Sequence, residues 1–151
     1  MRTYLVILDE TVESEVALRF AARRAAKTGG AVEVLVIVPK QAFVAWVGVQ
    51  ATIESEALEH AEALMEQTIL TLSTELGERP IINVRQGDPV EIIREALSAN
   101  PAIGALVLAA APSGAPGPLV NHFAGAEAGT MPCPLMIVPG SLSKEALDRL
   151  S

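Results

Sequence analysis

Aromatic residues are almost missing from this chain. They make up 3% of its 151 residues although half of all residues are hydrophobic. The core must therefore be filled by Val, Leu, Ile and Ala, a composition that suits a sheet covered by Ala-rich helices. Cysteine is nearly absent as well. Cys133 stands alone, which excludes an internal disulfide and a thiolate metal site and gives no indication of an oxidising compartment. Beside an apolar strand it reads as a small buried hydrophobe. Positive charge is the third shortage. Lys and Arg number 11 against 18 Asp and Glu, the net charge is −7, and no basic residue occurs between Glu95 and Ser143. Nucleic-acid binding needs clustered cations that displace counterions, and a polybasic membrane anchor needs them too, so neither partner is expected. No apolar run reaches the roughly 18 residues of a membrane-spanning helix. The apolar run at Tyr4–Leu8 is too short for a signal peptide, and acids follow it at once. A cytoplasmic protein is the simplest expectation.

What is present is an alternation of strand and helix patterns within the length of one domain. Tyr4–Leu8 is β-branched and aliphatic, a parallel strand buried on both faces, and Asp9-Glu10-Thr11 ends it. Glu13–Thr28 has helical periodicity, with Val16, Ala17, Phe20, Ala21 and Ala25 on adjacent turns. Gly29-Gly30 stops that helix. Val32–Val38 is a second strand, ended by Pro39. The segment Lys40–Val49, with Phe43, Val44 and Trp46, is too apolar for an ordinary loop; it covers a ligand cleft, joins a partner or packs in the core. A long helix over Ile53–Leu76 follows, and then a shorter, more polar strand over Pro80–Arg85 that belongs near an edge. Asp88 as N-cap and Pro89 in the first turn open a helix over Val90–Ala99. Ala105–Ala109 and Leu135–Val138 are the last strands, with an amphipathic stretch over Leu119–Thr130 between them and a tail helix over Lys144–Leu150. This alternation predicts an α/β three-layer sandwich with a mainly parallel sheet.

Between the last two strands lies Pro112-Ser113-Gly114-Ala115-Pro116-Gly117-Pro118. A strand, a glycine loop and a helix can cradle a phosphate on backbone N–H groups. Gly114 and Gly117 either let the backbone approach a ligand or simply turn the chain. Pro112, Pro116 and Pro118 each lack the N–H that such a cradle uses, Glu127 adds negative charge to the segment, and only His122, if protonated, could add positive charge. Asp9, at the end of the first strand, is a ligand contact or an acid that caps the first helix. His60, among Glu56, Glu59 and Glu62, has no second His or Cys at ligand spacing and reads as a surface residue.

In order and spacing these pieces resemble the universal stress proteins over about Thr3–Gly140. Leu5-Val6-Ile7-Leu8-Asp9-Glu10-Thr11 with Ser14 and Ala17-Leu18-Arg19-Phe20-Ala21 resembles the family's first strand, acidic turn and first helix. Gly87-Asp88-Pro89 resembles its Gly-x-Pro turn, and Pro132-Cys133-Pro134-Leu135-Met136-Ile137-Val138 its final strand. The resemblance implies a universal stress protein-like domain over residues 1–140 and a C-terminal tail over 141–151. It implies a five-stranded sheet in the order 3-2-1-4-5, of the adenine nucleotide alpha hydrolase-like type, with a cleft at the carboxyl ends of strands one and four. In nucleotide-binding members the fourth strand is followed by G-x2-G-x9-G-[ST], which holds phosphates and ribose, and an aspartate ending the first strand meets the adenine. Carried over residue by residue, Asp9, Gly114 and Gly117 match. Nine residues beyond Gly117 stands Glu127 in place of glycine; Gly125 comes two positions early with Ala126 after it, and Gly129-Thr130 comes two positions late. The site formed by Asp9, Gly114, Gly117, Gly125 and Ala126 is therefore expected to be degenerate and to hold no cofactor; ATP or AMP is the ligand the resemblance implies. Family members often pair through the last strand, which implies a homodimer through Leu135–Val138 unless the tail at Ser141–Ser151 covers that edge.

The function expected from these readings is non-enzymatic, in stress response or regulation, with a competent ATP- or AMP-binding module as the alternative. Enzymes of similar architecture leave signatures that are missing: no SGGxDS loop, HIGH or KMSKS sequence, G-x-S-x-G elbow or Walker A motif occurs. A response-regulator receiver would need Asp at the end of the third strand and Lys at the end of the last, where Arg85-Gln86 and Val138-Pro139 stand.

Overall fold

The computed structural model describes residues 2–9, 11–38 and 81–151, and between them residues 56, 59–60, 62–63, 66–68, 70 and 72–74. The elements in chain order are β1 (Thr3–Leu8), α1 (Val12–Thr28), β2 (Ala31–Val38), β3 (Ile81–Gln86), α2 (Pro89–Ala99), β4 (Ile103–Ala110), α3 (Pro118–Ala124), a 3-10 turn (Ala128–Thr130), β5 (Leu135–Pro139) and α4 (Lys144–Leu150). The five strands pair in parallel in the order β3-β2-β1-β4-β5. This is the expected three-layer sandwich and strand order.

Side-chain alternation along β1 divides the core. Tyr4, Val6 and Leu8 point to one face and pack with Ala17, Leu18, Ala21, Ala22 and Ala25 of α1. Leu5 and Ile7 point to the other face and meet Ile92, Ile93 and Leu97 of α2 and Val120 and Phe123 of α3. The alanines at 17, 21 and 25 lie one turn apart, so α1 can settle close to the sheet without large side chains. β3 and β5 are the sheet edges, as the polar character of β3 predicts; Ile81 is 61% exposed on the first and Ile137 41% on the second. Cys133, half-buried just before β5, packs against the second face, and burial pushes its thiol pKa up.

Two expectations change. α1 begins at Val12, one residue early, and Thr11 is its N-cap. The stretch over Leu119–Thr130 is not one helix. α3 stops at Ala124 because Gly125 leaves helical geometry (φ −101°, ψ −100°), and a separate 3-10 turn follows. The tail helix forms over the expected Lys144–Leu150 and packs against α1, where Arg23 Nε pairs with Asp148 Oδ1 at 3.0 Å and Lys27 Nζ donates to a Ser151 main-chain oxygen at 2.6 Å. The apolar Lys40–Val49 segment lies outside the described residues. Those described between 56 and 74 are helical; Thr68 and Leu72 are buried, while Glu56, Glu59, His60 and Glu62 are exposed. No helix among the described residues is long and apolar enough to cross a membrane.

Phe123 is fully buried and is the one aromatic residue of the second core cluster among the described residues. Phe123→Ala should lower stability by about 3–5 kcal/mol, read as a shifted denaturation midpoint with an unchanged slope. A loss below about 1 kcal/mol would mean that α3 is not seated on the sheet as described.

Candidate functional site

Three strand-to-helix turns meet at the carboxyl end of the sheet. In the turn after β1, the Asp9 carboxylate accepts from the Thr11 N–H at 2.8 Å and from the Thr11 hydroxyl. The buried Ser14 hydroxyl donates to the carbonyls of Thr11 (2.8 Å) and Asp9 (3.1 Å), pinning the turn from below. Asp9 is thus not the helix cap that one reading of the sequence suggested. It sits two residues before the Thr11 N-cap, and its short side chain holds that residue in an Asx turn.

In the turn after β3, Asp88 is the N-cap of α2 and accepts the Glu91 N–H at 3.2 Å, with Pro89 next. This is the expected arrangement. In the loop after β4, the Ala111 N–H donates to the Pro116 carbonyl at 3.0 Å and folds the loop onto itself. Gly114 lies exposed in that loop with φ +74°. Gly117 caps α3 at φ +120°, ψ 156°, a region essentially restricted to glycine.

Between these turns is a cavity of about 360 Å³. It lies where the strand order reverses beside β1 and β4, the usual place for ligands in open α/β sheets. Ile7, Ile37 and Leu108 reach it from the strand ends, and Val90, Leu119 and Val120 from α2 and α3. Asp9, Glu13 and Asp88 are the acidic residues of its lining, and no Lys or Arg lines it among the described residues.

Of the residues singled out in the sequence, the structure brings Asp9 and Gly117 to this cavity, together with Pro116 and Pro118. Gly114, Gly125 and Ala126 do not line it among the described residues. Gly125 and Ala126 lie exposed in the turn after α3, where a side chain at 125 would come within 2.6 Å of the Asn121 carbonyl. The charge of Glu127 does not stand alone either. Arg94 of α2 pairs with its carboxylate, and His122 Nε2 lies 3.0 Å from the same oxygen. The segment that would have to close over phosphates is tied to α2 instead.

Pro89, Pro116 and Pro118 bring no N–H donor to the cavity, the N–H groups of Thr11, Glu91 and Ala111 are bonded within the protein, and the charged residues among the described lining residues are acids. Thr11, Glu13 and Asp88 were not anticipated as lining residues. Their signal is positional: each belongs to a turn that leaves the carboxyl end of a parallel strand.

Over residues 1–139 the sequence matches the Universal stress protein family. The chain belongs to that family. Its fold is the adenine nucleotide alpha hydrolase-like fold of known members. Universal stress protein UspA from Lactobacillus plantarum is 18% identical with a TM-score of 0.77, covering 91% of this chain and 97% of that one. A universal stress protein family member from Burkholderia pseudomallei is 15% identical with a TM-score of 0.69, covering 91% and 95%. A family member from Arabidopsis thaliana, solved with AMP bound, is 12% identical with a TM-score of 0.55, covering 92% of each chain. A comparison with curated proteins finds no match.

Gly117 tests the backbone geometry of this universal stress protein site directly. An added Cβ would meet no atom within 4 Å there, so the penalty for Gly117→Ala is conformational alone. It should cost about 1–3 kcal/mol, whereas Gly129→Ala, which also meets open space but without a positive φ, should be near neutral. Equal denaturation midpoints for the two variants would contradict the φ assigned to Gly117.

Proposed function

We propose that this protein is a non-enzymatic universal stress protein, acting in stress response or regulation, whose nucleotide site is degenerate. The observation that carries this reading is the cavity lining: it has an apolar pocket at the strand ends, and the charged residues among its described lining residues are Asp9, Glu13 and Asp88. An adenine ring can use the apolar part; a chain of phosphates gains nothing from the rest. Among the described residues no contact pairs a nucleophile with a base in the cavity, and Asp9 and Asp88 accept hydrogen bonds that hold helix starts.

Calorimetry with ATP, AMP and adenosine tests it. ATP should bind with a dissociation constant no tighter than about 100 µM, or about −5.5 kcal/mol, and affinity should rise as phosphates are removed. Replacing Pro116 and Pro118 with Arg and placing two further residues before Gly125 should strengthen ATP binding. Micromolar ATP affinity in the unmodified protein would replace this reading with the alternative, a competent ATP- or AMP-binding module. The AMP held by the Arabidopsis thaliana member supports that alternative for a ligand with one phosphate.

The same reading includes a homodimer through β5. This strand is a sheet edge with Ile137 exposed, α4 packs against α1, and an apolar edge with unpaired ladder groups is usually covered. Light scattering should give twice the 15.8 kDa chain mass, and Ile137→Lys should shift the protein toward monomer. A monomer at every concentration of the unmodified chain would remove the dimer from the proposal.

A further inference from the structure

α2 and α3 both border the strand-end cavity, and they differ in what holds them. α2 has 11 residues, its start is capped by Asp88, and Ile92, Ile93 and Leu97 bury it on the sheet. α3 has 7 residues. Gly117 gives its start no side-chain cap, Gly125 leaves helical geometry at its end, and its buried residues are Val120 and Phe123. A helix that short has little stability of its own, so its direction depends on what grips its ends.

One polar group joins α2 to α3 and to the turn that follows it. The Arg94 guanidinium pairs with Glu127 Oε1. His122 Nε2, in the last turn of α3, lies 3.0 Å from the same oxygen and 3.5 Å from Arg94 Nη2. The Glu127 N–H donates to the His122 carbonyl at 3.4 Å, which ties the turn to the end of α3. The Glu127 side chain is mostly buried, and salt screens such a pair less than one on the open surface. Apolar packing does not close the space beside it. A second cavity of about 320 Å³ lies there, lined by Arg94, Leu97 and Ser98 of α2 and by Glu127, Thr130 and Met131 of the turn. The ion pair bridges that gap.

The same two helices shape the strand-end cavity. Val90 lines it from the first turn of α2, and Pro118, Leu119 and Val120 line it from the first turn of α3. Arg94 and His122 stand about one turn further along.

We propose that Arg94, Glu127 and His122 form a clasp that fixes α3 against α2 and so sets the width of the strand-end cavity. Arg94 and Glu127 are positioning residues: neither lines that cavity, and both act on it through α3. The effect on binding rests on the reading of this cavity as the ligand site; the fixing of α3 does not.

Hydrogen exchange and calorimetry on the full chain test the two halves. Arg94→Gln and Glu127→Gln should each speed exchange of the hydrogen-bonded α3 amides at least about tenfold, with β1 and β4 amides unchanged. The double variant should add little to either single one, because both remove the same pair. Arg94→Lys keeps the charge and should restore most of the protection. Glu95→Gln breaks the exposed pair with Arg85 on the same helix and should change nothing at α3. Adenosine is the binding probe because it carries no phosphate. Its dissociation constant should rise at least about threefold in the two glutamine variants of the clasp, as a preorganised wall is lost.

Unchanged α3 exchange in those variants overturns the inference. So does faster exchange spread over β1 and β4, which assigns the pair to global stability alone. Faster α3 exchange with unaltered adenosine affinity overturns it too, because α3 then does not set the cavity. If the unmodified chain fails to bind adenosine at about 1 mM, the adenine reading fails and exchange alone decides the clasp.

Discussion

β1 and β4 lie side by side at the centre of the sheet and are covered by helices on both faces, so almost every residue along them is committed to packing. Leu5, Val6, Leu8, Leu106 and Val107 are fully buried. From Leu5 to Leu8 and from Ala105 to Leu108 these strands carry only aliphatic side chains, and a polar group placed there would have to find a partner inside the core. Functional side chains are confined to the turns beyond the strand ends. The parallel order adds the second half of the constraint, because every β-to-α turn then opens on the same end, and the reversal beside β1 keeps the neighbouring helices apart to leave a cavity.

That geometry gathers helix starts around the cavity, and their orphan N–H groups must bond to something. A ligand anion is one solution, and a carboxylate from the chain is another. Asp9 and Asp88 adopt the second at α1 and α2, and proline at positions 89 and 118 removes a donor from the start of α2 and of α3. Each device is an ordinary way to begin a helix. Taken together around one cavity, they leave acids as the charged residues of its described lining, placed there by the same hydrogen bonds that start the helices.

The sequence made much of this legible where periodicity or a cap dictated local structure. The continuous aliphatic strands, Gly29 at the end of α1, the Asp88-Pro89 start of α2 and the tail helix are all legible directly, because each signal is confined to a few adjacent residues. The strand order came only with the family resemblance, since pairing partners are far apart in the chain. What could not be read was tertiary. No local rule says that Glu127 will find Arg94 across to α2, or that Thr11 and Glu13 will share a cavity with Asp88. The role of Asp9 was misread in part, because an acid just before a helix looks like a cap whether it stands one residue or three before the first helical position.

The contrast between the sheet and the loop after β4 follows from what each demands of its residues. A core strand needs apolar side chains of roughly suitable volume, and many sequences supply them; UspA from Lactobacillus plantarum retains this fold with a TM-score of 0.77 at 18% identity. A phosphate-closing segment needs glycine at fixed separations, because each N–H must arrive at one place. With Gly125 two positions early, α3 ends before the turn that would close over the cavity, and the released segment is captured by the pairing of Glu127 with Arg94 and His122. A shift in register would turn a strand's apolar face to solvent, whereas the changed glycine spacing of this loop leaves β4 and β5 paired on either side of it. Sheet and loop therefore answer to different constraints: apolar volume and alternation for the one, fixed glycine spacing for the other.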